Sequence, residues 1–320
     1  MHEIGGYLEF ERFTGQTFHK DAIALNSGRN CLAYIIKARG LKRIRIPYYL
    51  CDCVKDTCES LGVTVTYYHI APDMKPDKDA FDCGDYEALY LVNYFGQLCD
   101  EYIEDVRKRA PQLIVDNVQS FFQAPIDGID TLYTCRKYFG VSDGAFLYTN
   151  AKLEDALDVD VSGKRLSYLI GRLEHSANEY YAQYQDNELA IAGVSIAQMS
   201  AFTRNMLRGI DYDSVRKQRA CNMEVLDTLL GSSNKLKVNK QDCTFTYPFY
   251  IENGIEIKKR LVERKIYVPT LWPNVLVYPI EWIERDFAED ILPLPCDQRY
   301  DESDMEDVSN AVLELMMHAN

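Results

Sequence analysis

Three adjoining runs decide the fold: Ala88-Leu89-Tyr90-Leu91-Val92, then Glu101 to Arg109, then Gln112-Leu113-Ile114-Val115. The first and last are short and wholly apolar, as strands buried on both faces are; the charged run between them reads as a helix. Strand, helix, strand is the crossover unit of a parallel sheet.

The same alternation extends outward in both directions. Upstream, Ala22 to Leu25 reads as a strand, Cys31 to Ala38 as a helix, and Arg43-Ile44-Arg45-Ile46 as a strand stopped by Pro47. Cys51 to Leu61 then reads as a helix and Val63 to Tyr68 as a strand. Downstream, Thr131-Leu132-Tyr133-Thr134 and Ala145-Phe146-Leu147-Tyr148 read as strands. The expectation is an α/β domain with a mixed, mostly parallel sheet covered on both faces. In such sheets ligands sit at the carboxyl ends of the strands. The polar groups just past those ends are Ser27, Asn93 with Gln97, Asp116 with Gln119, and Lys137.

Lys137 stands between a strand and the glycine-bounded turn Gly140-Val141-Ser142-Asp143-Gly144. A lysine in a cleft dry enough to lower its pKa can attack a carbonyl and form a Schiff base; beside Arg136 it can equally be one of a solvated surface pair. Asp116 closes an apolar strand, where an unpaired carboxylate is costly, so a protonated ring nitrogen would suit it, as would a local arginine or a capping role. Gln119 would reach the same ligand if Asn117 to Phe121 were helical. Asn26-Ser27-Gly28-Arg29-Asn30 precedes a helix, whose N-terminal N–H groups and dipole favour an anion; a plain N-cap has the same pattern.

Composition narrows the function classes. The chain has 320 residues, 47% of them hydrophobic and 26% charged, enough for about two soluble globular domains. A net charge of −14 speaks against a nucleic-acid partner, though a few local donors can still hold one phosphate. The start, Met1-His2-Glu3-Ile4-Gly5-Gly6-Tyr7, lacks the basic and apolar regions of a leader, and no run is long enough for a membrane span. Ten cysteines scattered without a secretory signal suggest a reduced, cytoplasmic protein. Cys51-Asp52-Cys53 is not a CxxC pair and the histidines are far apart, so no metal site is expected.

Past Tyr148 the pattern turns helical: Ala151 to Asp160, Leu166 to Gln185, Ile196 to Leu207 and Ser214 to Leu230. Gly231-Ser232-Ser233-Asn234 is a break. Beyond it, Thr244 to Ile251 reads as a strand, Gly254 to Arg264 as a helix, Ile266 to Val268 as a strand, and Glu302 to Met317 as a closing helix. The expected domains are a large one over residues 1–230, including an N-terminal segment 1–20, and a small C-terminal α+β domain over 231–320.

Taken in order, these motifs resemble the DegT/StrS-type sugar aminotransferases, fold-type I enzymes dependent on pyridoxal 5'-phosphate (PLP). Asn26-Ser27-Gly28-Arg29-Asn30 is similar to the family's Ser-Gly-Thr phosphate loop, Ile46-Pro47-Tyr48-Tyr49 to its proline segment, and Val92-Asn93-Tyr94-Phe95-Gly96-Gln97 to its Val-His-x-x-Gly-Gln stretch. Val115-Asp116-Asn117-Val118-Gln119 resembles the strand ending in Asp-x-x-Gln. Lys137 with Asp143-Gly144 resembles the Schiff-base lysine and its sequel, and Asp297-Gln298-Arg299-Tyr300 the C-terminal ending.

The resemblance implies a fold-type I PLP-transferase-like large domain and a ping-pong aminotransferase. The amino donor would be an amino acid such as L-glutamate and the acceptor a nucleotide-linked keto-sugar or similar carbonyl, as in polysaccharide biosynthesis. It implies that Lys137 holds the cofactor, Asp116 pairs with the ring nitrogen, Gln119 meets the phenolic oxygen, and Ser27, Gly28, Arg29 and Thr134 surround the phosphate. Tyr49 is the candidate to cover the ring, and Asn178 or Asn187 the residue a second subunit lends in a homodimer. Arg29 departs from the family's threonine, and the spacing from Thr134 to Lys137 is shorter than the family's. The other readings are a PLP enzyme of elimination or dehydration type, which the retained Lys137 disfavours, and a silent relative that only binds a ligand.

Overall fold

The computed structural model describes residues 4–82, 84, 87–239 and 244–317. Residues 1–3, read above for a leader, lie outside the described residues, as does His318.

The sheet has seven strands: β1 (Ile23–Leu25), β2 (Arg43–Pro47), β3 (Thr64–Tyr68), β4 (Glu87–Val92), β5 (Leu113–Asp116), β6 (Asp130–Thr134) and β7 (Ala145–Tyr148). Their spatial order is β1-β7-β6-β5-β4-β2-β3. The pairs from β3 through β6 are parallel, and only β7 runs antiparallel to its neighbours β6 and β1. Every residue of β4 and β5 is buried, the apolar runs 88–92 and 113–115 together with the flanking Glu87 and Asp116. Helices α1 (Gly28–Arg39), α2 (Asp52–Ser60) and α3 (Asp100–Arg109) make the crossovers. Because β1, β2, β4, β5 and β6 point the same way, their carboxyl ends share one edge, which places Asn26, Asn93, Asp116 and the turn after Thr134 side by side.

Beyond β7 the expected helices are partly redrawn. Residues 151–160 are irregular rather than helical, tied toward β1 through Gln198, which bridges both Val159 and Leu25. The long helix expected from Leu166 to Gln185 is two, α4 (Ser167–Glu174) and α5 (Tyr181–Ala192). The break lies where Tyr180 presses on Gly171, whose absent Cβ would lie 2.2 Å from the Tyr180 ring. Helix α6 (Ala201–Arg208) begins later than its apolar spacing suggests, because Ser200 caps it and the preceding residues bridge to Leu25 and Val159.

A second core gathers Met223, Leu226 and Leu230 of α7 (Tyr212–Leu230) with β8 (Thr246–Tyr250), α8 (Gly254–Glu263), β9 (Ile291–Pro295) and α10 (Glu302–Met317). Strand β9 pairs antiparallel with β8, and residues 266–268, read above as a strand, are not one. Helix α9 (Ile283–Asp290), absent from the sequence reading, sends Phe287 back into the core of the large sheet.

Candidate active site

Lys137 lies on the turn that follows β6. Cys135 N–H donates to the Gly144 carbonyl (3.0 Å) and Gly144 N–H to the Asn26 carbonyl (2.7 Å), so both ends of the turn are fixed to the sheet edge. Gly144 has φ 113°, and a Cβ there would come within 2.9 Å of Thr203, so no other residue fits without strain. Beneath the turn, the fully buried Asp143 accepts from Ser200 N (2.8 Å), Ser200 Oγ (2.8 Å) and Thr203 Oγ1. The Lys137 ammonium stands 5.6 Å from the Phe245 ring centroid. Burial pushes its pKa below the ordinary lysine value, while Asp116 and the thiols of Cys53 and Cys51 pull the other way.

Asp116, 4% exposed, ends β5. Its Oδ2 accepts from the Tyr90 hydroxyl (2.8 Å) and its Oδ1 from Val118 N–H (3.0 Å). Burial raises its pKa above the ordinary carboxylate value; Lys137 and these two donors oppose that. The carboxylate and the lysine thus favour each other's charged forms inside one desolvated cleft.

The segment after Asp116 is a turn, not the helix on which Gln119's reach was premised. Gln119 is nonetheless brought in: its Oε1 accepts from Phe95 N–H (2.7 Å), while its buried Nε2 has no partner among the described residues. Phe95 takes a left-handed conformation (φ 51°, ψ 23°), which costs a non-glycine residue about 1–3 kcal/mol and is held by this bond. Asn93 and Gln97 serve the scaffold. Asn93 bonds Asn117, Gln123 and Leu98, and Gln97 bonds Asn239.

Ser27 caps α1, accepting from Asn30 N–H at 3.2 Å. Gly28 follows, where an added Cβ would make only ordinary contacts, no nearer than 3.8 Å to Val118. Arg29 Nη1 is buried without a partner, and its charge is felt at Cys51, Cys53 and Arg136. Thr134, 9% exposed, ends β6. An uncompensated buried guanidinium N–H beside a helix N-terminus calls for an anion, and a buried amide N–H for an acceptor. A phosphorylated ring with an anionic oxygen meets both needs, so these residues fit PLP.

Tyr49 is fully buried, its ring centroid 4.5 Å from that of Trp272 and 5.3 Å from that of Tyr94, and its hydroxyl has no partner among the described residues. Two residues on, Cys51 is felt at Lys137 and accepts from Cys53 N–H (3.4 Å). A hydrogen bond from the Cys53 side chain, then Cys53 N–H, Arg29 and Lys137, lower its pKa to about 6 against the opposing effect of burial. The sequence reading weighed this thiol only as a metal ligand; that it starts a helix beside a cationic cleft follows from the fold. Arg136 pairs with Glu188 of α5, and Asn187 is buried with its Nδ2 donating to the Ser142 carbonyl (3.1 Å), whereas Asn178 is exposed. No group of three His, Cys, Asp or Glu able to hold a metal occurs among the described residues, and none of their helices is long and apolar enough to cross a membrane.

The mixed sheet, with its site at the parallel carboxyl ends, defines the fold as that of the fold-type I PLP-dependent transferases. More narrowly, it is the fold of the DegT/StrS-type sugar aminotransferases. DesV of S. venezuelae, solved in complex with a ketimine intermediate, superposes with a TM-score of 0.68 at 15% identity, covering 92% of this chain and 84% of DesV. The sugar aminotransferase CalS13 of Micromonospora echinospora gives 0.64 at 12% identity, covering 92% and 87%. A DegT DnrJ EryC1 StrS aminotransferase from Brucella abortus gives 0.61 at 14%, covering 92% and 85%. No family model matches the sequence, and no curated protein does.

Proposed function

We propose that the protein is a PLP-dependent aminotransferase that moves an amino group from an amino-acid donor, L-glutamate, to a nucleotide-linked keto-sugar or similar carbonyl acceptor. The observation that carries this reading is the half-buried Lys137 and the buried Asp116 in one cleft, each shifting toward its neutral form, beside buried donors on Arg29 and Gln119 that lack partners. PLP, when bound, supplies an aldehyde carbon for exchange between lysine and donor, and a ring that accepts electrons.

The chain's own residues supply the rest. With its pKa lowered, Lys137 Nζ has a larger free-amine fraction, available to attack a carbonyl and afterwards to carry a proton between donor and acceptor carbons. Each oxygen of Asp116 already accepts one hydrogen bond and keeps a lone pair, with which the carboxylate can hold a protonated ring nitrogen. Gln119 Nε2 is free to donate to a phenolate. Ser27, the Gly28 and Arg29 N–H groups, the Arg29 guanidinium and Thr134 form the phosphate seat. Tyr48 and Tyr67, stacked at 4.9 Å outside Cys51, give an aromatic wall for the acceptor. We take the enzyme to work in the cytoplasm as a homodimer; the described cysteines are unbridged, as a reduced compartment requires.

The test is the absorption spectrum after adding PLP, followed by borohydride reduction and peptide mapping. A visible band fixed onto Lys137, lost in Lys137→Met, is expected, with L-glutamate bleaching it in the wild type. Label on another lysine, or no band, would refute the assignment.

A further inference from the structure

A half-open pocket of about 200 Å³ lies between the N-terminal arm and α6, lined by Gly15, His19, Phe146 and the exposed Lys20, Arg204 and Arg208 among others. The arm that walls it is pinned. Asn205 accepts from Phe13 N–H (2.9 Å) and donates to the Glu11 carbonyl (2.8 Å). A Cβ on Gly15 would fall 2.3 Å from the Arg208 carbonyl oxygen, and one on Gly209 would fall 2.9 Å from the Phe13 ring. Glycine at both places lets arm and helix meet this closely.

The charge pattern of the cavity runs against the rest of the molecule. With 49 acidic residues to 35 basic ones, carboxylates are in surplus, yet no Asp or Glu lines this space. Lys20, Arg204 and Arg208 make no ion pair among the described residues, whereas Arg12, Arg39, Arg107, Arg264 and Arg299 each have one. Arg204 and Arg208 stand one turn apart on the same face of α6, where like charges repel. Asp21, the acid next in sequence to Lys20, acts on Tyr148 instead. His19 at the floor is neutral, donating Nε2–H to the Phe121 carbonyl at 2.8 Å. An anion between the three cations would turn this mutual repulsion into attraction, and paired guanidinium forks match phosphate oxygens. The pocket is open to solvent on one side and has room for a phosphate group.

We propose that this cavity binds a phosphate-bearing small molecule through Lys20, Arg204 and Arg208, at a site separate from the phosphate seat at α1. It is independent of the aminotransferase reading.

The experiment is calorimetric titration of the full-length protein with inorganic pyrophosphate at low salt. Binding is expected, weakened roughly a hundred-fold in Arg204→Glu/Arg208→Glu, from about ten-fold per charge-assisted contact, and less in Lys20→Glu alone. Lys259→Glu, at an exposed lysine of α8 that does not line this space, is expected to leave the affinity unchanged. A nucleoside diphosphate that binds much more tightly than pyrophosphate would identify a nucleotide as the source; equal affinities would identify the phosphate group alone. The proposal is overturned if the wild type fails to bind, or if the arginine and lysine variants retain the wild-type affinity, as binding at the α1 seat would.

Discussion

His19 offers a prediction whose size follows from its surroundings. The imidazole is 2% exposed, with ring centroids of Tyr133 at 4.1 Å and Phe121 at 4.8 Å. Its two nitrogens are committed, Nε2 to the Phe121 carbonyl and Nδ1 to the Tyr148 hydroxyl at 3.3 Å. Burial lowers its pKa to about 4, with the Phe121 carbonyl opposing. The unfolded chain binds this proton below its ordinary pKa of about 6.5, while the folded protein refuses it until about 4. The folded pKa being depressed, the stability from neutral His19 is fully present above the unfolded value and is lost as pH falls toward the folded one. Linkage over that window gives about 2 kcal/mol lost between about pH 7 and about pH 5 from this residue alone. Urea midpoints for the wild type and His19→Gln at both pH values measure it. His19→Gln is less stable at neutral pH but should lose about 2 kcal/mol less on acidification. Equal losses in both proteins would refute the reasoning.

The remaining predictions concern the cleft. Asp143→Ala leaves the buried Ser200 N–H without an acceptor and removes the clamp under the lysine turn, at a cost of about 2–4 kcal/mol. Faster hydrogen exchange at Cys135 and Gly144 is the readout, and unchanged protection there would sink the claim. Cys51 should be alkylated by iodoacetamide with a rate that inflects near about 6, and the inflection should rise in Arg29→Gln. An inflection in the ordinary thiol range in the wild type would contradict the described surroundings.

Much of the cleft was legible because its residues sit at strand ends, and strand ends are marked by where apolar runs stop. Asp116 after Leu113-Ile114-Val115, and Lys137 after Thr131 to Thr134, are such positions. Gln119 was also singled out, but on a helical premise; a turn, and the strained Phe95 it braces, bring it in instead. Tyr49 follows a strand-ending proline, where an aromatic can face a cleft or the core, and what packs against it, Trp272 and Phe287, lies far along the chain. Cys51 was missed because its environment comes from Arg29 and Lys137, which no spacing rule connects to it.

The sequence by itself determined the sheet, its mostly parallel sense and the edge where the cleft opens, because apolar periodicity and chain stops are local signals that burial enforces. Tertiary structure alone decided the break between α4 and α5, the pairing of β9 with β8, the acidity of Cys51 and the cationic cavity beneath the N-terminal arm. Each of these rests on groups far apart in the chain, and electrostatic and packing energies depend on distance in space rather than along the sequence.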